Sequence, residues 1–163
     1  MKTHNFIFST LVLLAAFVMA TSVSCNKDDD SPQSKMELIT GKKFVILAKT
    51  ISPPFEHNGV ELTDLFSSML PCLKDDITIF KTDGTATFDE GATKCDASGL
   101  QQTSGTWEFQ DNETKLSITS DGVSEVYDLV ELSATKLKVS SQIIDANRNG
   151  EETFTITITY IAV

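Results

Sequence analysis

Few residues in this chain have the chemistry to act on another molecule. There are three cysteines (Cys25, Cys72 and Cys95) and two histidines, and only His57 lies beyond the first 24 residues. Ser/His/Asp catalysis would hang on that single histidine, and no nucleophile motif lies near it. The sequence contains no P-loop and no GxGxxG, and its cysteines lack zinc spacing. Asp145, Asn147 and Asn149, followed by Gly150, match the start of a calcium loop. The bidentate Glu is missing, because Ile156 stands at that position. A hairpin turn needs Asn and Gly there in any case, so weak calcium binding at most is expected. Asp75–Asp76 and Glu151–Glu152 are adjacent acids, whereas glycosidase chemistry needs two acids converging across a cleft. No catalytic residue and no cofactor are expected, and the chain reads as a non-enzyme.

The N-terminus carries a different kind of chemistry. Lys2 is followed by a mostly apolar stretch from Phe6 to Ala20, 15 residues and short of the ~20 that span a bilayer. Small residues and then Cys25 follow, which is signal-peptide grammar. The arrangement resembles bacterial lipoprotein precursors, in which cleavage leaves the Cys as the acylated first residue. The resemblance implies a signal peptide over 1–24 and a lipid on Cys25. Lys27, Asp28, Asp29 and Asp30 resemble the Lys-then-acidic signal that sends lipoproteins to the outer face of the outer membrane; read as residues alone, they make a solvated tether. Residues 25–37 form that lipidated, flexible, acidic segment. The expected location is the outer membrane, lipid-anchored and facing the cell exterior, with the periplasmic face as the alternative.

Removing residues 1–24 leaves 139 residues with a formal charge of −11, enough for one domain over 38–163. So acidic a surface repels phosphate backbones, so nucleic acid is not an expected partner.

The elements that would position any site are strands. From Leu38 the chain turns to short runs rich in Val, Ile, Thr and Phe between turn residues. Expected strands run 42–51, 76–81, 85–89, 103–110, 115–119, 124–132, 137–142 and 152–161. Thr82-Asp83-Gly84 and Asp111-Asn112-Glu113 mark tight turns. In the last strand Phe154, Ile156, Ile158 and Tyr160 alternate with threonines, giving one apolar face. Eight strands joined by hairpin-length connections favour an antiparallel up-and-down barrel, whose closure removes the edges. One segment breaks this pattern. Leu62, Leu65, Phe66, Met69 and Leu70 recur at helical spacing before Pro71, which predicts one short helix between strands one and two. It would lie across the barrel mouth as a fixed plug or as a lid.

These residues resemble the lipocalin-like domains of bacterial lipoproteins over about Leu38 to Ile161. The carriers are Leu38 and Gly41, Cys72 to Asp76, Phe80, Asp83-Gly84-Thr85, Glu90-Gly91, Cys95 and Gly105-Thr106-Trp107. Phe44 stands where a Trp is usual. The resemblance implies an all-β, eight-stranded lipocalin-like barrel whose interior holds a small hydrophobic or amphipathic molecule. Phe66, Met69, Trp107, Phe109, Phe154 and Tyr160 are the candidate ligand contacts. The alternative is a non-enzymatic accessory module whose barrel is filled by its own aromatic side chains and which docks onto another outer-membrane component. A cavity of several hundred Å3 would favour the first reading.

With Cys25 committed to lipid, Cys72 and Cys95 remain in an oxidising compartment. The hairpin between them runs out and back, so both ends arrive on one side of the barrel. A disulfide is expected there, pinning the helix over the mouth.

Overall fold

In the computed structural model the described residues are 32–145 and 152–163. The hairpin signals and the apolar alternation produce a nine-stranded antiparallel sheet: β1 (Lys43–His57), β2 (Val60–Asp64), β3 (Ile77–Phe80), β4 (Thr85–Asp89), β5 (Gln102–Gln110), β6 (Lys115–Ser120), β7 (Val123–Leu132), β8 (Lys136–Asp145) and β9 (Glu152–Ala162). From β3 to β9 each strand pairs with the next. Closure comes from β1, which pairs with β3 through Lys43–Val45 and with β9 from Phe44↔Ala162 to Ser52↔Thr155. The barrel is therefore eight-stranded, and β2 is an appendage on the outer half of β1.

The helix predicted over Leu62–Leu70 does not form. Asn58 and Gly59 both take positive φ (52° and 77°), the geometry of a two-residue hairpin turn. That turn sends Val60–Asp64 back along β1, with Leu62 opposite Phe55. The Asp64 carboxylate then accepts from the backbone N–H groups of Phe66 and Ser67, at 2.9 and 3.1 Å. Leu65 and Phe66 donate to the Lys49 carbonyl. The helical spacing is spent on a strand and a side-chain-capped bend. With the helix goes the reading of a helical lid or plug. The first strand also runs past its expected end at Ile51, because the β1–β2 pairing supports it as far as His57.

The helix of the described residues lies elsewhere, at Lys35–Ile39 (α1), so residues 35–37, grouped with the tether, are helical. Ser34 and Glu37 form a capping box that satisfies the first-turn donors. Ile39 is fully buried. Thr40 bridges to Phe80, and the Gly41 N–H donates to the Phe80 carbonyl at 2.9 Å. The Lys35 ammonium reaches the Glu113 carbonyl in the β5–β6 turn. These contacts seat α1 against the end of the barrel that carries the β3–β4 and β5–β6 turns.

The core lies at that end. Ile39, Phe44, Phe80, Ala86, Trp107, Leu116, Leu137, Val139 and Ile158 form one buried cluster. Phe80 meets the Trp107 ring edge-on at 5.2 Å, and Phe109 meets Trp107 at 5.3 Å. The Trp107 indole N–H donates to the Lys81 carbonyl at 2.9 Å, so its one polar atom is satisfied. Beside this cluster β5 and β6 approach so closely that a methyl at Gly105 would collide with the Thr119 carbonyl and press on the Phe88 ring.

Candidate functional site

The same inward-facing rows that fill the barrel at the α1 end leave space at the other. A cavity of about 450 Å3 opens there. Its lower wall is core: Phe44, Phe80, Leu116, Leu137 and Val139. Its upper wall is Thr78 on β3, Phe88 on β4, Ile118 and Ser120 on β6, and Val123, Glu125 and Tyr127 on β7, with Asp121 at the rim; Tyr160 on β9 lines it from lower down, opposite Leu137. Polar side chains (Thr78, Ser120 and Glu125) thus join the aromatic and aliphatic ones above a wholly apolar floor. The volume lies within the ordinary range of small-molecule sites.

Strand register explains how a carboxylate comes to line an apolar barrel. Asp121 and Gly122, both with positive φ, make a two-residue turn that fixes Ser120 opposite Val123. Counting back from that pair puts Glu125 opposite Ile118 and Tyr127 opposite Leu116, on the inner face. Val126 and Val130 then face outward and are exposed. A bulge between Leu129 and Glu131 changes the phase, and Leu132, like Leu129, packs against the core.

The Tyr127 hydroxyl donates to the Glu125 carboxylate. Burial, then that hydrogen bond and the carboxylate's charge, push the Tyr127 pKa well above the ordinary phenol value. Burial, with a smaller contribution from Glu125, pushes Tyr160 to about 12. Both phenols are therefore neutral at physiological pH. The Tyr160 hydroxyl has no hydrogen-bond partner among the described residues. The charged side chains lining the cavity are Glu125 and Asp121; no described Lys, Arg or His lines it.

A second space of about 110 Å3 shares Thr78 and Phe88 with the first and adds Asp76, Ile77, Asp89, Glu90, Leu100 and Thr103. Burial, followed by repulsion from Glu90, Asp75 and Asp89, raises the Asp76 carboxyl to about 6. One oxygen each of Asp75 and Asp76 is buried without a partner in the structure. The other Asp75 oxygen accepts from the Ala92 and Thr93 N–H groups, at 3.0 and 2.8 Å. This acidic flank sits beside the loop that carries Cys95. The Cys72–Cys95 disulfide is present, with Cα atoms 5.2 Å apart. It ties a short 3-10 turn (Pro71–Leu73), rather than a helix end, to that loop.

The sequence-predicted contacts scatter. Tyr160 lines the cavity, whereas Trp107 and Phe109 belong to the packing beneath it. Phe154 is fully buried and is covered edge-on by Phe55 of the β1–β2 hairpin, ring centres 5.5 Å apart. Phe66 and Met69 sit in the bend after β2, where the Lys74 ammonium lies 4.9 Å from the Phe66 ring centre. Glu125 and Tyr127 escape the sequence reading, as do Thr78, Ile118 and Ser120. The Asp121-Gly122 dipeptide is the signal that would have found the β7 pair, since it sets the register. His57 ends β1, exposed, its ring stacked on Phe55 at 6.4 Å. Asp145 ends β8 opposite Glu152; Asn147 and Asn149 lie outside the described residues, as do Cys25, Lys27, Asp28, Asp29 and Asp30.

A family model for the lipocalin-like domain matches residues 57–139. Among solved structures, the chain is similar to bovine odorant-binding protein in complex with undecanal, at 17% identity and a TM-score of 0.39, covering 80% of this chain and 74% of that one. It is also similar to the odorant-binding protein from bovine nasal mucosa, at 14% identity, TM-score 0.39 and coverage of 80% and 75%. The bovine protein complexed with its natural ligand gives 14% identity, TM-score 0.40 and the same coverage. No curated protein matches.

Proposed function

This chain belongs to the lipocalin-like domain family, and from that premise we propose that it is a surface-tethered lipoprotein whose barrel carries a small hydrophobic or amphipathic ligand. The observation that carries this reading is the cavity of about 450 Å3 above the packed floor, walled by Phe88, Ile118, Tyr127 and Tyr160. Apolar walls supply affinity, and a few polar groups at the mouth orient the guest. The empty upper half weighs against the alternative of a filled barrel acting only as a docking module.

The test is a fluorescence titration with N-phenyl-1-naphthylamine, a neutral apolar dye. The protein should bind one equivalent, and Thr78→Trp, which places an indole in the cavity, should abolish binding while the circular dichroism stays unchanged. Absence of saturable binding to the parent protein would contradict the carrier reading.

The tether is the second part of the proposal. Acylation of Cys25 anchors the domain to the outer membrane, since several acyl chains hold firmly where one is marginal. Lys27 and Asp28 to Asp30 direct it to the cell exterior. Cys25→Ser should release the protein from membranes, and replacing the four charged residues with Ala should shield the domain from protease added to intact cells. Unchanged membrane association in the first variant, or unchanged protease access in the second, would overturn the corresponding role.

A further inference from the structure

Resting on the carrier reading, we propose that the cavity selects amphiphiles with a cationic head, an amine or ammonium group on an apolar body, over neutral and anionic ones. Three features of the cavity converge on this. First, the charged side chains lining the cavity are Glu125 and Asp121, with no described cation among the lining residues. A carboxylate or phosphate head would enter without a counter-charge and against two negative ones. Second, the flank that shares Thr78 and Phe88 with the cavity adds Asp76, Asp89 and Glu90. The negative field therefore comes from both sides of the opening, and low-dielectric walls between such charges focus it. Third, the neutral groups suit a donor head. The Tyr160 hydroxyl lines the cavity without a hydrogen-bond partner among the described residues. The Tyr127 hydroxyl holds one oxygen of Glu125 and leaves the other to accept from an incoming N–H. Phe88, Tyr127 and Tyr160 also offer aromatic faces, which attract cations where water is partly excluded.

The geometry orders the guest. The apolar body descends toward Leu116, Leu137 and Val139 while the head stays level with Glu125. That carboxylate is solvent-exposed at the mouth, so the head does not have to be stripped of all its water. The cost that makes fully buried ion pairs unprofitable is thereby avoided.

The test compares three probes of one chain length (decylamine, 1-decanol and decanoate), titrated calorimetrically below their aggregation concentrations. Decylamine should bind about tenfold tighter than 1-decanol, the scale of one charge-assisted contact, and decanoate weakest of the three. Glu125→Gln should cut the decylamine-to-decanol affinity ratio at least about fivefold. Glu108→Gln removes the same charge from a strand position that does not line the cavity, and should leave the ratio as it was. If 1-decanol binds but decylamine shows no advantage, or Glu125→Gln leaves the ratio intact, the head-group proposal falls and the carrier reading stands. If none of the three probes binds, both fall together.

Discussion

The two ends of this barrel are built from the same alternating strands and come out differently. At the α1 end the inward positions hold Phe44, Phe80, Trp107, Leu116 and Leu137, and the space between strands is full. At the mouth the same rows hold Thr78, Ser120, Glu125 and Tyr127, and about 450 Å3 stays open. Closure by β1 against β3 and β9 does not depend on filling the mouth, because the ladders are complete without it. Stability is thus concentrated in the floor, and the mouth is free to vary in shape and charge. The disulfide lies at the mouth side, where packing is thinnest, and ties the 71–73 turn to the 90–101 loop.

If that division is right, substitutions at the two ends should fail in different ways. The largest effect belongs to the floor. Phe80→Ala or Trp107→Ala should destabilise the fold by about 3–5 kcal/mol in urea unfolding, because each removes a buried ring from the center of the cluster. Next comes the staple. Cys72→Ala with Cys95→Ala should cost roughly 3 kcal/mol by the loop-entropy account of a closed segment of this length, and should loosen the mouth loops in hydrogen exchange before the floor. Thr78→Trp should do the opposite of the floor variants, shifting stability by less than about 1 kcal/mol while removing dye binding. A large stability loss from Thr78→Trp would erase the distinction between the ends.

The smallest effect is pH-dependent. Asp76 has a folded pKa of about 6 against an ordinary value of 3.8, so the folded state takes up the proton first. Its contribution makes the fold more stable as pH falls from above 6 toward 3.8, and the penalty of the desolvated charge is fully present above the folded pKa. Asp76→Asn should therefore raise the melting temperature at neutral pH by up to about 3 °C, screened because the carboxylate is partly exposed. The gain should fade near about pH 4. An equal gain at both pH values would assign the effect to packing rather than charge.

Much of this division was legible in the residues. The threonine alternation of β9 identifies its inner face, and Thr82-Asp83-Gly84 identifies the hairpin that brings the two cysteines to one side. What alternation cannot give is depth: Trp107 and Tyr160 both face inward, yet one is floor and the other wall. It also fails where polarity and burial disagree. In Ser124-Glu125-Val126-Tyr127, a rule that turns Val inward and Glu to the outer face would misplace both; the register set by Asp121-Gly122 puts Glu125 on the cavity side and Val126 outside. The misplaced helix has the same origin. The helical apolar spacing of Leu62–Leu70 follows Asn58-Gly59, and those two residues of positive φ decide in favour of the strand.

The claim that the mouth, and not the floor, is the working part of the barrel can be tested directly by amide NMR during titration with 1-decanol. The account predicts saturable shifts at Thr78, Phe88, Ile118, Tyr127 and Tyr160, with the Trp107 indole N–H, bonded to the Lys81 carbonyl, left in place. Shifts confined to the outer face of β7 at Val126 and Val130, or no saturable shifts, would contradict it.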